Sequence, residues 1–205
     1  TYMYAKDYEN SLKFSEKAIE VGGDKEIGAY MNKGSVLDYM DRMEESKKVF
    51  AEAEEKFGGN YLLYFNWGLV CFKEKQFAEA SALFEKGVAL NHMHASGHLY
   101  LGFTQANMNN KIKALLPLYF FLALEPGSNR STNAISLIHH LYEGNVKEIG
   151  ENSMEITIDP GSKESEFASA EMILTILVAG CKDSKNKVKT KAEIFAEHTN
   201  SVFRI

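Results

Sequence analysis

The sequence predicts an all-α fold: a right-handed solenoid of antiparallel helix pairs, closed by a C-terminal helical cap. Gly34, Gly68 and Gly102 stand at equal intervals of 34 residues. Around each glycine, apolar side chains recur at the three-, four- and seven-residue spacings of one helix face. The chain is also rich in Ala, Glu, Lys and Leu and holds three prolines, a composition suited to helix. A unit repeating with this period cannot bury its outer face alone, so neighbours must stack.

Residues Asp7–Val21 read as the second helix of an earlier unit, because Tyr8-Glu9-Asn10-Ser11 parallels Phe77-Ala78-Glu79-Ala80. The first helix of that unit is largely missing, so the chain is expected to begin inside a longer parent sequence. The unit 27–60 carries Tyr30, Gly34, Ser46, Phe50 and Ala53. In 61–94, Tyr64, Trp67 and Cys71 form one stripe and Ala80, Phe84 and Gly87 the facing one, across a turn near Lys75. The unit 95–128 repeats the pattern with His98, Leu101, Gly102, Ala114, Leu118 and Phe121, and Pro126 closes it. A degenerate first-type helix follows at 131–142, with Ser136 in the glycine's place.

These elements form one array, residues 1–142, and residues 143–205 form a linker and cap. Glu143–Lys163 reads as a loop, with a short extended piece at Met154–Ile158. Ser165–Ala179 is a helix, apolar all round from Met172 to Ala179, which demands burial on more than one side. After a polar connection at Lys182–Lys187, Val188–Phe203 is an amphipathic helix with Val188, Ala192, Phe195 and Val202 on one side. The two helices are expected to pack as a hairpin on 131–142, hiding the last unit's apolar face.

The register resembles the tetratricopeptide repeat (TPR), whose W-x2-L-G-x2-Y…A-x3-F…P pattern it follows over roughly Tyr4–Leu141. Tyr64-Phe65-Asn66-Trp67-Gly68 and Phe77-Ala78-Glu79-Ala80 carry the resemblance best. The tail, ending in Glu193–Phe203, is similar to TPR proteins of Bacteroidetes-type bacteria, and that similarity adds no activity.

Composition and motifs point away from catalysis and from several partner classes. Hydrophobic residues at 45% and charged residues at 25% belong to a folded chain. A net charge of −5 without a basic block argues against nucleic acid. No apolar run reaches the ~18 residues of a membrane span. No GxSxG, HExxH, GxGxxG or phosphate-loop pattern occurs. Cys71 lies on a packed stripe, and Cys181 ends an apolar helix, so neither reads as an activated nucleophile. His92, His94 and His98 lack a carboxylate or thiol beside them and read as turn and packing residues rather than a metal site. The adjacent His139 and His140 diverge by about 100° on a helix. Asn129-Arg130-Ser131 is a glycosylation sequon only in a eukaryotic secretory setting. No enzyme activity, cofactor or metal is expected.

The TPR resemblance implies a protein-interaction module that presents a concave face to a peptide or helix. A second stripe on the best unit, Phe65, Leu69 and Phe72, is spaced i, i+4, i+7 and must face away from the first. By analogy it lines that concave face with Met31, Leu99 and Phe103, and Tyr39 and Lys73 stand at its rim. One TPR subclass clamps C-terminal carboxylates with Lys, Asn and Arg from first helices. Those positions here hold Met31, Ser35, Phe65, Leu69, Leu99 and Phe103, so the clamp is missing. The alternative is a structural or assembly domain whose groove is filled by its own tail or by another copy. The compartment is left open between cytoplasm and, after removal of a signal peptide, periplasm or cell envelope.

Overall fold

A computed structural model describes residues 7–22, 27–143, 146–150, 153–156 and 167–181, together with residues 193, 196, 197, 199 and 200. In order these are α1 (Tyr8–Gly22), α2 (Ile27–Tyr39), α3 (Met43–Phe57), α4 (Tyr61–Lys73), α5 (Phe77–Leu90), α6 (Ala95–Asn107), α7 (Lys111–Leu124), α8 (Asn129–Glu143), β1 (Val146–Gly150), β2 (Ser153–Ile156) and α9 (Ala168–Cys181). Consecutive helices pack on one another within each part, α1 to α5 in one and α7 to α9 in the other, in the manner of an α-α solenoid. Among the described residues no helix is long and apolar enough to cross a membrane. The chain divides into two compact units, Thr1–Thr104 and Gln105–Ile205.

In the first unit α2 packs on α1 and α3, and α4 on α3 and α5. Short turns join the partners, so they run antiparallel. Those turns share one construction. Asp41 and Lys75 adopt left-handed φ of 56° and 60°. The next N–H of each turn reaches back to the helix it leaves: Arg42 donates to the Leu37 carbonyl at 2.8 Å and Gln76 to that of Cys71 at 2.9 Å. Carbonyls at the helix end are satisfied in this way. Asn60 caps α4 by accepting from the N–H groups of Leu62 and Leu63 at 2.8 and 3.3 Å.

The repeated glycines are seats for rings. A Cβ on Gly34 would meet Phe50 Cζ at 2.6 Å, and one on Gly68 would meet Phe84 Cε1 at the same distance. Ser46, buried opposite, donates its hydroxyl to the Gly34 carbonyl at 2.7 Å. Two clusters result. Tyr30, Leu37, Val49, Phe50, Leu63 and Val70 form the first; Tyr64, Cys71, Ala80, Leu83, Phe84 and Leu101 form the second.

In the second unit Ile112, Leu115, Leu118 and Phe121 of α7 are buried, as are Ala134, Ile138, Leu141 and Tyr142 of α8. Asn109 has a φ of 58°, and Asn110 N–H donates to the Gln105 carbonyl at 3.0 Å, repeating the turn of the first unit. Between α7 and α8, Gly127 takes a φ of 77° and Arg130 pairs with Glu125.

Three expectations need correction. The segment read as loop from Glu143 contains an antiparallel hairpin that pairs Val146 with Ile156 and Lys147 with Glu155, with an irregularity between Glu148 and Gly150. Its second strand, Ser153–Ile156, falls on the short extended piece expected at Met154–Ile158, so the correction concerns β1, Val146–Gly150, which lies where a loop is expected. Ser136, expected in the glycine's place, is exposed and turns its hydroxyl back to the Thr132 carbonyl at 3.0 Å. The apolar cap helix α9 packs on α7, α8 and the hairpin, yet Met172, Ile173 and Ile176 remain about half exposed. Its apolar composition therefore does not mean burial all round. The helix expected at 188–203 lies outside the described residues, apart from Glu193, Ala196, Glu197, Thr199 and Asn200, which are helical.

Candidate functional site

The first helices of the first unit lie side by side. α2 packs on α4, and α4 meets α6 through Tyr100, whose ring is 5.7 Å from those of both Phe65 and Phe72. At 100° per residue, three arcs of α4 serve three different purposes. Leu63 and Val70 point into the cluster shared with α2. Phe65 and Phe72 turn towards Tyr100. Between them lies an open arc of Leu62, Asn66, Leu69 and Lys73, with Leu62 36% exposed.

The same arc on α2 is Asn32, Ser35 and Tyr39, and on α6 it includes Tyr100 and Phe103, whose rings are 5.9 Å apart. Tyr39 is 55% exposed and stacks on Tyr8 with centroids 5.5 Å apart. Neither the Asn32 nor the Asn66 side chain has a hydrogen-bond partner among the described residues. Both amides stand at the same position of successive repeats. The sequence signal for them is their in-phase spacing of 34, which lies outside the apolar stripes, as do Leu62 and Tyr100.

The sequence-predicted residues thus divide. Tyr39 and Lys73 are exposed on this arc, and Leu69 and Phe103 lie on it half-buried, Leu69 packed against the second cluster. Phe65 and Phe72 are half-buried, packed with Phe84, Tyr100 and Phe77 at ring distances of 5.6–5.9 Å. Met31 packs against the first cluster. Leu99 is 3% exposed, so it has no surface to present and belongs to the core.

Charge is sorted by helix type. α6 has no Asp, Glu, Lys or Arg, α4 has only Lys73, and α2 has only Lys33 and Asp38. These are already paired: Lys33 with Glu16 of α1 at 3.1 Å, and Lys73 with Asp38 and Asp41 at 3.3 and 3.4 Å. Desolvation pulls the Lys73 ammonium down, but the two carboxylates outweigh it and hold its pKa above the ordinary value. The second helices carry the charge instead. On that side the Tyr64 hydroxyl donates to Glu54 at 2.6 Å, and Lys86 pairs with Glu54 at 3.1 Å while lying over the Tyr64 ring. Its hydrogen bond to Glu54, with burial, pushes the Tyr64 phenol up to about 12. Tyr30 holds the equivalent place between Glu52 and Lys56.

Reactive chemistry finds little footing here. Burial, reinforced by Glu79, pushes the Cys71 thiol up to about 12, far from a thiolate at neutral pH. His98 Nε2 engages the His92 carbonyl at 2.8 Å, and His94 stands edge-on to Phe65 and Tyr61. Among the described residues no three His, Cys, Asp or Glu side chains converge as metal ligands.

Residues 27–55 match the family model of the tetratricopeptide repeat. No curated protein matches the chain. Among solved structures, MamA from Desulfovibrio magneticus RS-1 superimposes with a TM-score of 0.62 at 13% identity, covering 89% of this chain and 92% of that one. YrrB, described as a TPR protein with an unusual peptide-binding site, gives 0.59 at 18% identity over 97% and 87%. The first TPR of Spaghetti (RPAP3), bound to the HSP90 peptide SRMEEVD, gives 0.54 at 20% identity over 57% and 93%. The chain carries a tetratricopeptide repeat and has the fold of TPR solenoids.

Proposed function

We propose that this chain is a non-catalytic protein-interaction module that holds an apolar segment of a partner on the α2–α4–α6 face. The row of exposed Leu62 and Tyr39 with half-buried Leu69, Tyr100 and Phe103 supports this reading above all, because it offers apolar surface beside two amides that have no hydrogen-bond partner among the described residues. Asn32 and Asn66 can hydrogen-bond a partner's main chain, and the apolar side chains supply anchoring area. Peptide binding by YrrB and RPAP3, as their descriptions state it, is consistent with such use. Contacts of this size give affinities near the micromolar range once association costs are met. Leu62→Asp is the direct test, since Leu62 is exposed at the edge of the row. Loss of a captured partner with an unchanged melting temperature supports the reading; retained capture refutes it.

An assembly role is the second reading, favoured by Met172, Ile173 and Ile176 of α9, whose half-exposed side chains lie together on one helix face. Light scattering on an Ile173→Lys, Ile176→Lys variant tests it. A chain already monomeric before substitution rules out self-association through α9.

A further inference from the structure

We infer that the segment held on the α2–α4–α6 face is uncharged where it touches, and is bound independently of salt. The inference rests on the interaction-module reading and specifies its partner. Over α2, α4 and α6, charged side chains number three, and each already has an ion-pair partner within the chain. Lys73, one turn along α4 from Leu69, is shared between Asp38 and Asp41. An acidic peptide would have to draw Lys73 away from two carboxylates, one of which, Asp38, is on the same face. A basic peptide would compete with Lys73 itself for those carboxylates. Neither sign of charge gains net attraction, and either loses hydration on contact.

What the face does offer is neutral. Asn32, Ser35 and Asn66 donate and accept without charge, and Leu62, Leu69, Tyr39, Tyr100 and Phe103 offer apolar or aromatic surface. The contrast with the second helices is sharp, since α3 alone carries Glu44, Glu45, Lys47, Lys48, Glu52, Glu54, Glu55 and Lys56. Charge complementarity therefore selects a neutral segment bearing aromatic or branched aliphatic anchors. The HSP90 peptide SRMEEVD bound by RPAP3, with three acidic side chains, is of the opposite kind.

The test is selection of a random twelve-residue peptide library on the full chain, with the Leu62→Asp variant as counter-screen. Peptides captured by the wild-type chain but not by the variant should be neutral and carry two or more Phe, Trp, Leu or Ile. Their dissociation constants should change less than about twofold between 50 and 500 mM NaCl, well inside the Debye-screening range. Enrichment of acidic or basic peptides, or measurable binding of SRMEEVD lost on Leu62→Asp, overturns the inference and leaves the binding reading standing. If no peptide distinguishes the two proteins, the binding reading falls and the inference with it. A wild-type dimer dissociated by Leu62→Asp identifies a second copy as the occupant. A fall in the variant's melting temperature with no ligand captured identifies the chain's own tail; both overturn the inference.

Discussion

Gly68 lies so close to the ring of Phe84 that a Cβ there would stand 2.6 Å from Cε1. The ring is 1% exposed and cannot swing out of the way. Gly68→Ala should therefore destabilise the first unit by ~1–3 kcal/mol through overpacking. At Gly28, in contrast, a Cβ would meet nothing within 4 Å, and Gly28→Ala should stabilise by up to ~1 kcal/mol. Urea denaturation of both variants checks the pair. Equal effects would mean that the glycine period reflects backbone freedom rather than close approach.

Asp41, Lys75 and Asn109 form a second series spaced by 34, all with left-handed φ. A lysine in this conformation costs about 1 kcal/mol that glycine avoids, partly offset by the greater freedom of glycine in the unfolded chain. Lys75→Gly should raise stability by ~0.5 kcal/mol, and Lys75→Val should lower it by ~1 kcal/mol or more. Thermal melts of both variants decide. A stabilising valine would show that the turn tolerates other backbone geometry.

Much of the first unit was legible because its signals are local and repeated. A glycine, a small residue and a phenylalanine at fixed offsets mark two helices and the contact between them. The in-phase turns carry Asp, Lys and Asn rather than glycine, so residue type alone hid their backbone strain. The face was legible only by helix. Phe65 and Phe72 were correctly separated from the Tyr64–Cys71 stripe, but no pattern within one repeat reveals that Tyr100 of the next would cover them. Leu99 misled for the same reason: its burial depends on neighbours outside its own helix. Ser136 kept the period after the matching close contact was gone, and the hairpin at Val146–Ile156 lacked any repeat to announce it.

The Tyr64–Glu54–Lys86 cluster makes stability depend on pH at both ends. The hydrogen bond from Tyr64, followed by Lys86, holds Glu54 below its ordinary 4.5. Its contribution is complete above 4.5 and is lost as pH falls through the lower folded value. The Tyr64 phenol is raised from 10.0 to about 12, so its contribution is complete below 10 and fades as pH rises through 12. Tyr64→Phe should cost ~1 kcal/mol at neutral pH and flatten the loss at the alkaline end. Denaturant titrations across pH measure both limbs, and an unaltered alkaline limb in the variant would assign it to another group.

Glu171 explains how α7 is finished at its N-terminus. α3 begins with Glu44 and Glu45 and α5 has Glu79 in its first turn, where carboxylates favour the helix dipole. The first turn of α7 has no acid of its own and holds Lys111 and Lys113 instead. Glu171, 5% exposed on α9, supplies the carboxylate from 59 residues away: its Oε1 accepts the Ile112 N–H at 3.3 Å. Nearby, the Lys113 ammonium lies 5.8 Å from the centre of the Phe167 ring, a second tie between the same segments. Glu171→Ala removes both the acceptor and the charge and should cost ~1–3 kcal/mol. Glu171→Gln keeps an acceptor and loses only the charge, so its cost should be roughly the ~0.3–1 kcal/mol of the dipole interaction. Hydrogen exchange at the amides of residues 111–114, read beside the melting temperature, separates the roles. Faster exchange confined to those amides in the alanine variant, with partial recovery in the glutamine variant, marks Glu171 as the tie between the cap helix and α7. Unchanged exchange in both would show that Glu171 is not that tie.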